Sequence, residues 1–258
     1  MTSAGPLAGR GILITRPAHQ AGPLAALIHA AGGRPVIFPT LEILDPADPL
    51  PLRNAIDRLD TYDLAIFISP NAVTRVMERM AGRRGWPAGL RVAAIGKGGV
   101  RELERHGIHA VIAPQRSFDS ERLLEMPQLQ AVSGQRVLIL RGDGGRELLG
   151  DTLASRGALV DYVACYRRAR PQTDPAPLLQ AWMHDGVHAM VVTSSEGLRN
   201  LFVMLGKPGE SLLQHTPLLA PHPRIAAVAR ELGCRDVIGT APGDDGLIAG
   251  LLQQFAAK

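Results

Sequence analysis

Short apolar runs of three to five residues alternate with longer amphipathic stretches along the whole chain. Runs this short, bounded by Gly, Pro, Asp or Ser, predict strands at 12–15, 35–38, 64–68, 92–95 and 110–112. A second series follows at 137–140, 159–163, 189–192, 218–220 and 236–238. The stretches between them read as helices. In 70–80, for example, Val73, Val76, Met77 and Met80 fall at i, i+3, i+4 and i+7, one apolar stripe suited to covering a sheet. Strands alternating with helices predict β-α-β units in parallel sheets, with right-handed crossovers placing helices on both faces and ligands collecting at the carboxyl ends of the strands.

The pattern occurs twice. With a shift of 125 residues, Gly11-Ile-Leu-Ile-Thr-Arg16 lies on Arg136-Val-Leu-Ile-Leu-Arg141, so that Arg16 meets Arg141. Leu24 meets Leu149, Gly32 meets Gly157, and Leu64-Ala-Ile-Phe-Ile-Ser69 meets Ala189-Met-Val-Val-Thr-Ser194. The register then slips by one, pairing Val111 with Val237 and Asp119 with Asp245. One register kept through strand and helix patterns together marks an internal duplication, and five strands per copy predict two small doubly wound sheets. Residues 39–46 and 164–171 break the rhythm at equivalent places. Both are rich in residues that favour extended backbone, and both are expected to be linkers between lobes flanking a hinged cleft.

Composition narrows the chemistry. Of 258 residues, 46% are hydrophobic and 20% charged, which excludes a disordered chain, and no apolar run is long enough to span a membrane. The start of the chain lacks the apolar core of a secretion signal, so a cytoplasmic protein is expected. Two cysteines, Cys165 and Cys234, are too few for a disulfide framework or a four-cysteine zinc site and are expected to be buried thiols. The net charge of +4, carried chiefly by Arg, suits a polyanionic ligand. At 4% aromatic, with arginines dispersed over strand ends, a nucleic-acid surface is disfavoured.

No Walker A motif, nucleophile elbow or dinucleotide fingerprint occurs, and the eight histidines have no acidic or cysteine cluster beside them, so no metal is expected. What remains is a series of strand-to-helix turns: Thr15-Arg-Pro17, Ser69-Pro-Asn71, Gly96-Lys-Gly-Gly99, Ser117-Phe-Asp-Ser120, Arg141-Gly-Asp-Gly-Gly-Arg146, Thr193-Ser-Ser195 and His222-Pro-Arg224. Helix starts of this kind offer backbone N–H groups and a positive dipole end to anions. The same residue types also cap helices in any protein. The candidates for ligand contact are Thr15, Arg16, Ser69, Asn71, Gly96, Lys97, Arg141, Gly142, Arg146, Thr193, Ser194, Ser195 and Arg224. Tyr166, in the second linker, is a phenol able to donate a proton or to pack.

These motifs, in this order, resemble uroporphyrinogen-III synthase. The resemblance rests on Ile14-Thr-Arg-Pro17, Phe67-Ile-Ser-Pro-Asn-Ala-Val73, Ala93-Ala-Ile-Gly96 and Leu140-Arg-Gly-Asp-Gly-Gly-Arg-Glu147. It continues through Val163-Ala-Cys-Tyr166, Val192-Thr-Ser-Ser195 and His222-Pro-Arg-Ile-Ala226. It implies a HemD-like fold: two doubly wound, flavodoxin-like parallel-sheet lobes joined by a two-stranded linker. One lobe would hold 1–38 and 168–258 and the other 42–165, with crossings at 39–41 and 166–167, the first strand-helix unit being exchanged into the C-terminal lobe. The resemblance further implies a monomer with no metal or organic cofactor, no membrane or nucleic-acid partner, and a transient contact with the preceding pathway enzyme. The implied reaction is closure of hydroxymethylbilane, a chain bearing eight carboxylates. Its terminal hydroxyl leaves, an azafulvene forms, and ring D is inverted through a spiro intermediate to give uroporphyrinogen III. By motif position Tyr166 matches the tyrosine that helps the hydroxyl leave. Where the family often has Thr, this chain has Gly99. The competing expectation is a non-catalytic two-lobed binding or sensor protein for a polycarboxylate.

Overall fold

The computed structural model describes residues 5–115 and 119–256. Strand β1 (Gly11–Ile14), helix α1 (Ala18–Ala30) and β2 (Arg34–Ile37) lead to the short β3 (Glu42–Leu44). Then come α2 (Leu50–Asp57), β4 (Leu64–Phe67), α3 (Pro70–Met80), β5 (Arg91–Ala94), α4 (Lys97–Arg105), β6 (Val111–Ile112) and α5 (Ser120–Leu124). The second half opens with β7 (Arg136–Gly142), α6 (Leu148–Ser155) and the long β8 (Leu159–Ala169). It closes with α7 (Ala176–Met183), β9 (Ala189–Val191), α8 (Ser195–His215), β10 (Leu218–Ala220), α9 (Pro223–Glu231), β11 (Val237–Gly239) and α10 (Asp244–Ala256).

The chain divides into two compact units. One comprises Met1–Glu42 with Ala169–Lys258, and the other Ile43–Arg168. The sheet of the first has the order β11-β10-β9-β1-β2, and that of the second β3-β8-β7-β4-β5-β6. If each strand of the first sheet is replaced by its repeat counterpart (β1 by β7, β2 by β8, β9 by β4, β10 by β5, β11 by β6), the order becomes that of the second sheet without β3. Each sheet is therefore built from the opening two strands of one copy and the last three of the other. The shared order is the 2-1-3-4-5 arrangement of doubly wound sheets.

Alternation along the strands explains why helices cover both faces. In β1, Ile12 and Ile14 join Leu24, Ile28, Ala189, Val191 and Leu251 on one side, while Leu13 joins Met190, Leu198, Leu201 and Leu218 on the other. The second unit repeats this, with Leu64, Ile66, Val137 and Ile139 on one face and Ala65, Phe67, Leu138 and Leu140 on the opposite one. Each of the larger aliphatic or aromatic side chains contributes on the order of 1.5–3 kcal/mol by leaving water. A strand apolar on both faces has no solvent side, which is why these runs are continuous.

One expectation is corrected: the sheets have five and six strands, not five each, because β3 forms within 39–46 and lies beside β8. The segment 164–169 is extended, as expected, and belongs to the sheet. It is the second half of β8, whose parallel pairing with β7 continues through Gly142 and Tyr166 after an irregularity in register. In addition, α8 is broken at Gly206, which adopts a positive φ of 57° two residues before Pro208.

One buried polar contact in the first unit tests this packing. The Trp182 indole N–H donates to Thr216 Oγ1 at 3.0 Å, and that hydroxyl donates to the Leu212 carbonyl at 2.8 Å, closing the end of α8. Thr216→Val keeps the shape and strands the indole donor, so chemical denaturation is expected to report a loss of about 1–3 kcal/mol, with Thr216→Ser close to the parent.

Candidate functional site

Because the central strands of both sheets pair in parallel, their carboxyl ends open on one edge of each sheet. In the first unit the ends of β1, β9 and β10 are neighbours, bringing together the turns that hold Thr15 and Arg16, Thr193 to Ser195, and Arg224. In the second unit the ends of β8, β7, β4 and β5 stand in a row and carry Tyr166, then Arg141, Gly142 and Arg146, then Ser69 and Asn71, then Gly96 and Lys97. Within each sheet the order reverses between β1 and β9, and between β7 and β4, and crevices for ligands form at such reversals. Ser117 and Phe118 of the remaining turn lie outside the described residues.

Many of these side chains already have work within the fold. Thr15 is buried and donates to the Val191 carbonyl at 3.1 Å, tying the end of β1 to β9. Ser69 caps α3 by accepting from Ala72 N–H, Ser194 caps α8 by accepting from Gly197 N–H, and His222 accepts from Arg224 N–H at the start of α9. Helix capping therefore accounts for part of the pattern that anion binding also explains. The exceptions are informative. Gly96 at the start of α4 gives no side-chain cap, so the first turn depends on other partners. Ser195 Oγ is buried and has no hydrogen-bond partner among the described residues. A hydroxyl in that condition is costly unless something else meets it.

The two repeat-related arginines have parallel surroundings. Arg16 meets Asp244, the first residue of α10, at 2.6 Å, and Arg141 lies 4.0 Å from Glu147 with its guanidinium over the Tyr162 ring at 4.1 Å. Both side chains are 15% exposed, so each is a partly desolvated cation held by a carboxylate of its own unit. Arg146, by contrast, is exposed and paired with Glu121 at 2.9 Å, and Arg224 is exposed on the first turn of α9.

The glycines of the α4 turn have a packing role as well. A Cβ on Gly98 would lie 2.9 Å from the Pro70 ring, so glycine lets α4 approach the start of α3. At Gly99 a Cβ would fall 3.3 Å from Ala94 Cβ, a tight contact that glycine avoids.

Tyr166 is 1% exposed. The bulge that places it skips Cys165: Arg141 pairs with Ala164 and Gly142 with Tyr166. An extra residue in one strand re-aims the side chain that follows it, and here the ring lies over Gly142, where an added Cβ would stand 2.9 Å from two ring carbons. Its hydroxyl is 2.9 Å from Ser69 Oγ and 3.5 Å from an Arg168 guanidinium nitrogen. Arg168 did not stand out in the sequence, where it is one of several arginines in 164–171. Its position two residues beyond Tyr166 on a strand, hence on the same face, is the signal that was available.

Neither thiol is poised for nucleophilic chemistry. Burial pushes Cys165 up to about 12 and Cys234 up to about 11.

Two doubly wound parallel sheets, each with hydrogen-bond donors and arginines on its carboxyl edge, define a two-lobed α/β protein. Comparison with known proteins makes the class specific. The family profile described as uroporphyrinogen-III synthase HemD matches residues 22–249. The uroporphyrinogen-III synthase of Escherichia coli K12 is 36% identical over 229 residues, covering 88% of this chain and 93% of its own. That of Synechococcus elongatus is 37% identical over 199 residues, covering 76% and 74%. Among solved structures, a mutant uroporphyrinogen III synthase from the extremely thermophilic bacterium Thermus thermophilus superposes with a TM-score of 0.60 over 96% of this chain and 99% of its own. Its 20% identity speaks to the fold alone. The chain belongs to the uroporphyrinogen-III synthase HemD family.

The thiol environment yields a direct test. At pH 8 the thiolate fraction is on the order of one part in 10⁴ for Cys165 and one in 10³ for Cys234. Iodoacetamide at that pH is expected to leave both unmodified in the folded protein and to label both in denaturant, as read by mass spectrometry.

Proposed function

We propose that this protein is an enzyme that closes hydroxymethylbilane to uroporphyrinogen III with loss of water and inversion of ring D. Family membership across residues 22–249 carries the reading, and the donor-rich strand ends support it. A substrate with eight carboxylates needs many anion contacts, and Arg16, Lys97, Arg141, Ser195 and the start of α4, whose N-cap Gly96 has no side chain, offer them. Each charge-assisted hydrogen bond contributes about 1.5–3 kcal/mol before the cost of breaking existing pairs.

The chemistry asks for little beyond position and one proton. Hydroxymethylbilane in solution closes without inversion, so the protein's main task is to hold the chain where the substituted carbon of ring D meets the electrophile. In this mechanism Tyr166 donates its proton to the terminal hydroxyl, which leaves as water while the pyrrole nitrogen supplies the electrons that form the azafulvene. Ring D attacks through its substituted carbon, the spiro intermediate fragments and recloses, and the last pyrrole carbon to form a bond loses a proton that restores the phenol. Water is the net loss, as the overall reaction requires. Cys165 and Cys234, buried and protonated, have no part in it.

Incubation with hydroxymethylbilane, followed by separation of the type I and type III isomers, tests the function. Dominant type III product is expected. Tight binding with only the spontaneous type I product would instead mark a polycarboxylate-binding protein. Tyr166→Phe is expected to lower kcat by about 10²–10⁴-fold, the usual worth of a positioned acid. Arg16→Ala, Arg141→Ala and Lys97→Ala are each expected to raise KM by about tenfold with a smaller change in kcat. Unchanged KM in all three would place the carboxylates elsewhere.

A further inference from the structure

The chain has three tyrosines, and their hydroxyls sit in three different chemical states. Tyr62 donates to Asp161 Oδ2 at 2.7 Å, and burial followed by that carboxylate pushes it up to about 12, so its proton is locked. The Tyr162 hydroxyl accepts from Gly150 N–H and donates to the Glu147 carbonyl, both at 2.9 Å, which commits its proton and a lone pair to the backbone. The Tyr166 oxygen instead faces the Ser69 hydroxyl, with the Arg168 guanidinium beyond.

Ser69 is not a neutral neighbour. Its Oγ accepts from Ala72 N–H at the start of α3, an eleven-residue helix whose N-terminal end is positive. With one lone pair given to the helix, the Ser69 hydroxyl still has a second lone pair and its own hydrogen for Tyr166, so either oxygen can donate in this contact. In the arrangement where Ser69 donates, the phenol keeps its own O–H for another acceptor. The same contact is kept when the phenol hands its proton on, with Ser69 then the donor and the Arg168 guanidinium 3.5 Å from the oxygen. The contact is also held from the other side. Gly142 leaves room for the ring to lie flat, and the bulge at Cys165 sets its direction.

We propose that Ser69 is a positioning residue that acts through Tyr166, orienting the phenol as a proton donor and stabilising the phenolate left behind, and does not itself grip a substrate carboxylate. The inference rests on the reading of Tyr166 given above and replaces the expectation that Ser69 contacts substrate. Arg168 contributes as a cation 3.5 Å from the phenol oxygen.

Steady-state kinetics on hydroxymethylbilane with a double-mutant cycle decide it. Ser69→Gly removes the hydroxyl and leaves a residue that helix N-caps tolerate, so the fold is kept. It is expected to lower kcat by about tenfold or more with KM changed less than about twofold, and Ser69→Thr is expected to restore the rate. In the Tyr166→Phe background, Ser69→Gly is expected to cost nothing further, since its partner is gone. A raised KM with unchanged kcat, or the same loss of kcat in both backgrounds, overturns the inference while leaving Tyr166 as the acid. Full activity in Tyr166→Phe alone overturns the reading of Tyr166 and this inference with it.

Discussion

Parallel pairing between strands far apart in sequence is the constraint from which the rest follows. Ile12 to Ile14 of β1 pair with Ala189 to Val191 of β9, and Leu64 to Phe67 of β4 pair with Val137 to Leu140 of β7. Each pairing joins two strands whose connections depart in opposite directions, so each sheet has one place where neighbouring loops splay apart. The repeat-related arginines, Arg16 and Arg141, stand at that place in their respective sheets, as do Thr193 to Ser195 in one and Ser69 with Asn71 in the other. A duplication that kept its strand order also kept its donors at equivalent sheet positions.

Much of this was legible in the chain. Ten strands could be placed, all but the end of β8 to within two residues, because parallel strands of this kind are continuous apolar runs. The register of the repeat told which strands were counterparts. The exchange of β1 and β2 between copies was not legible from the residues. Ile12, Leu13 and Ile14 satisfy the core beside β9 by the same alternation that would satisfy it beside β4, and a hydrophobic pattern carries no label for its partner. The pairing of 164–169 was hidden for a related reason. Arg167 and Arg168 broke the apolar pattern, while pairing with β7 carries the strand through Tyr166 and β3 lies on its other side.

The candidate site was legible as a set of turns but not as a division of labour. Ser69, Ser194 and His222 match both the anion-binding and the capping expectation, and geometry alone separates the two. Thr15 turned its hydroxyl into the sheet, whereas Ser195, one position after a capping serine, kept its oxygen without a described partner. Side-chain direction at the first turn of a helix depends on the backbone torsions at the cap, which residue identity does not encode.

The pairing of Arg16 with Asp244 and of Arg141 with Glu147 bears on how strongly such an edge can bind. A carboxylate arriving at either guanidinium exchanges one ion pair for another, so the net gain is the difference between two similar interactions and not the full value of one. The resident carboxylates also hold partly desolvated cations in place, which limits the side-chain entropy lost on binding. Under the proposed function, such an edge binds each anionic arm weakly and fixes many of them at once. For the proposed substrate, a flexible polycarboxylate, that is the useful balance. Tight uniform binding lowers KM without favouring one transition state over its rival, whereas many modest contacts at fixed positions restrict which carbon can approach the electrophile.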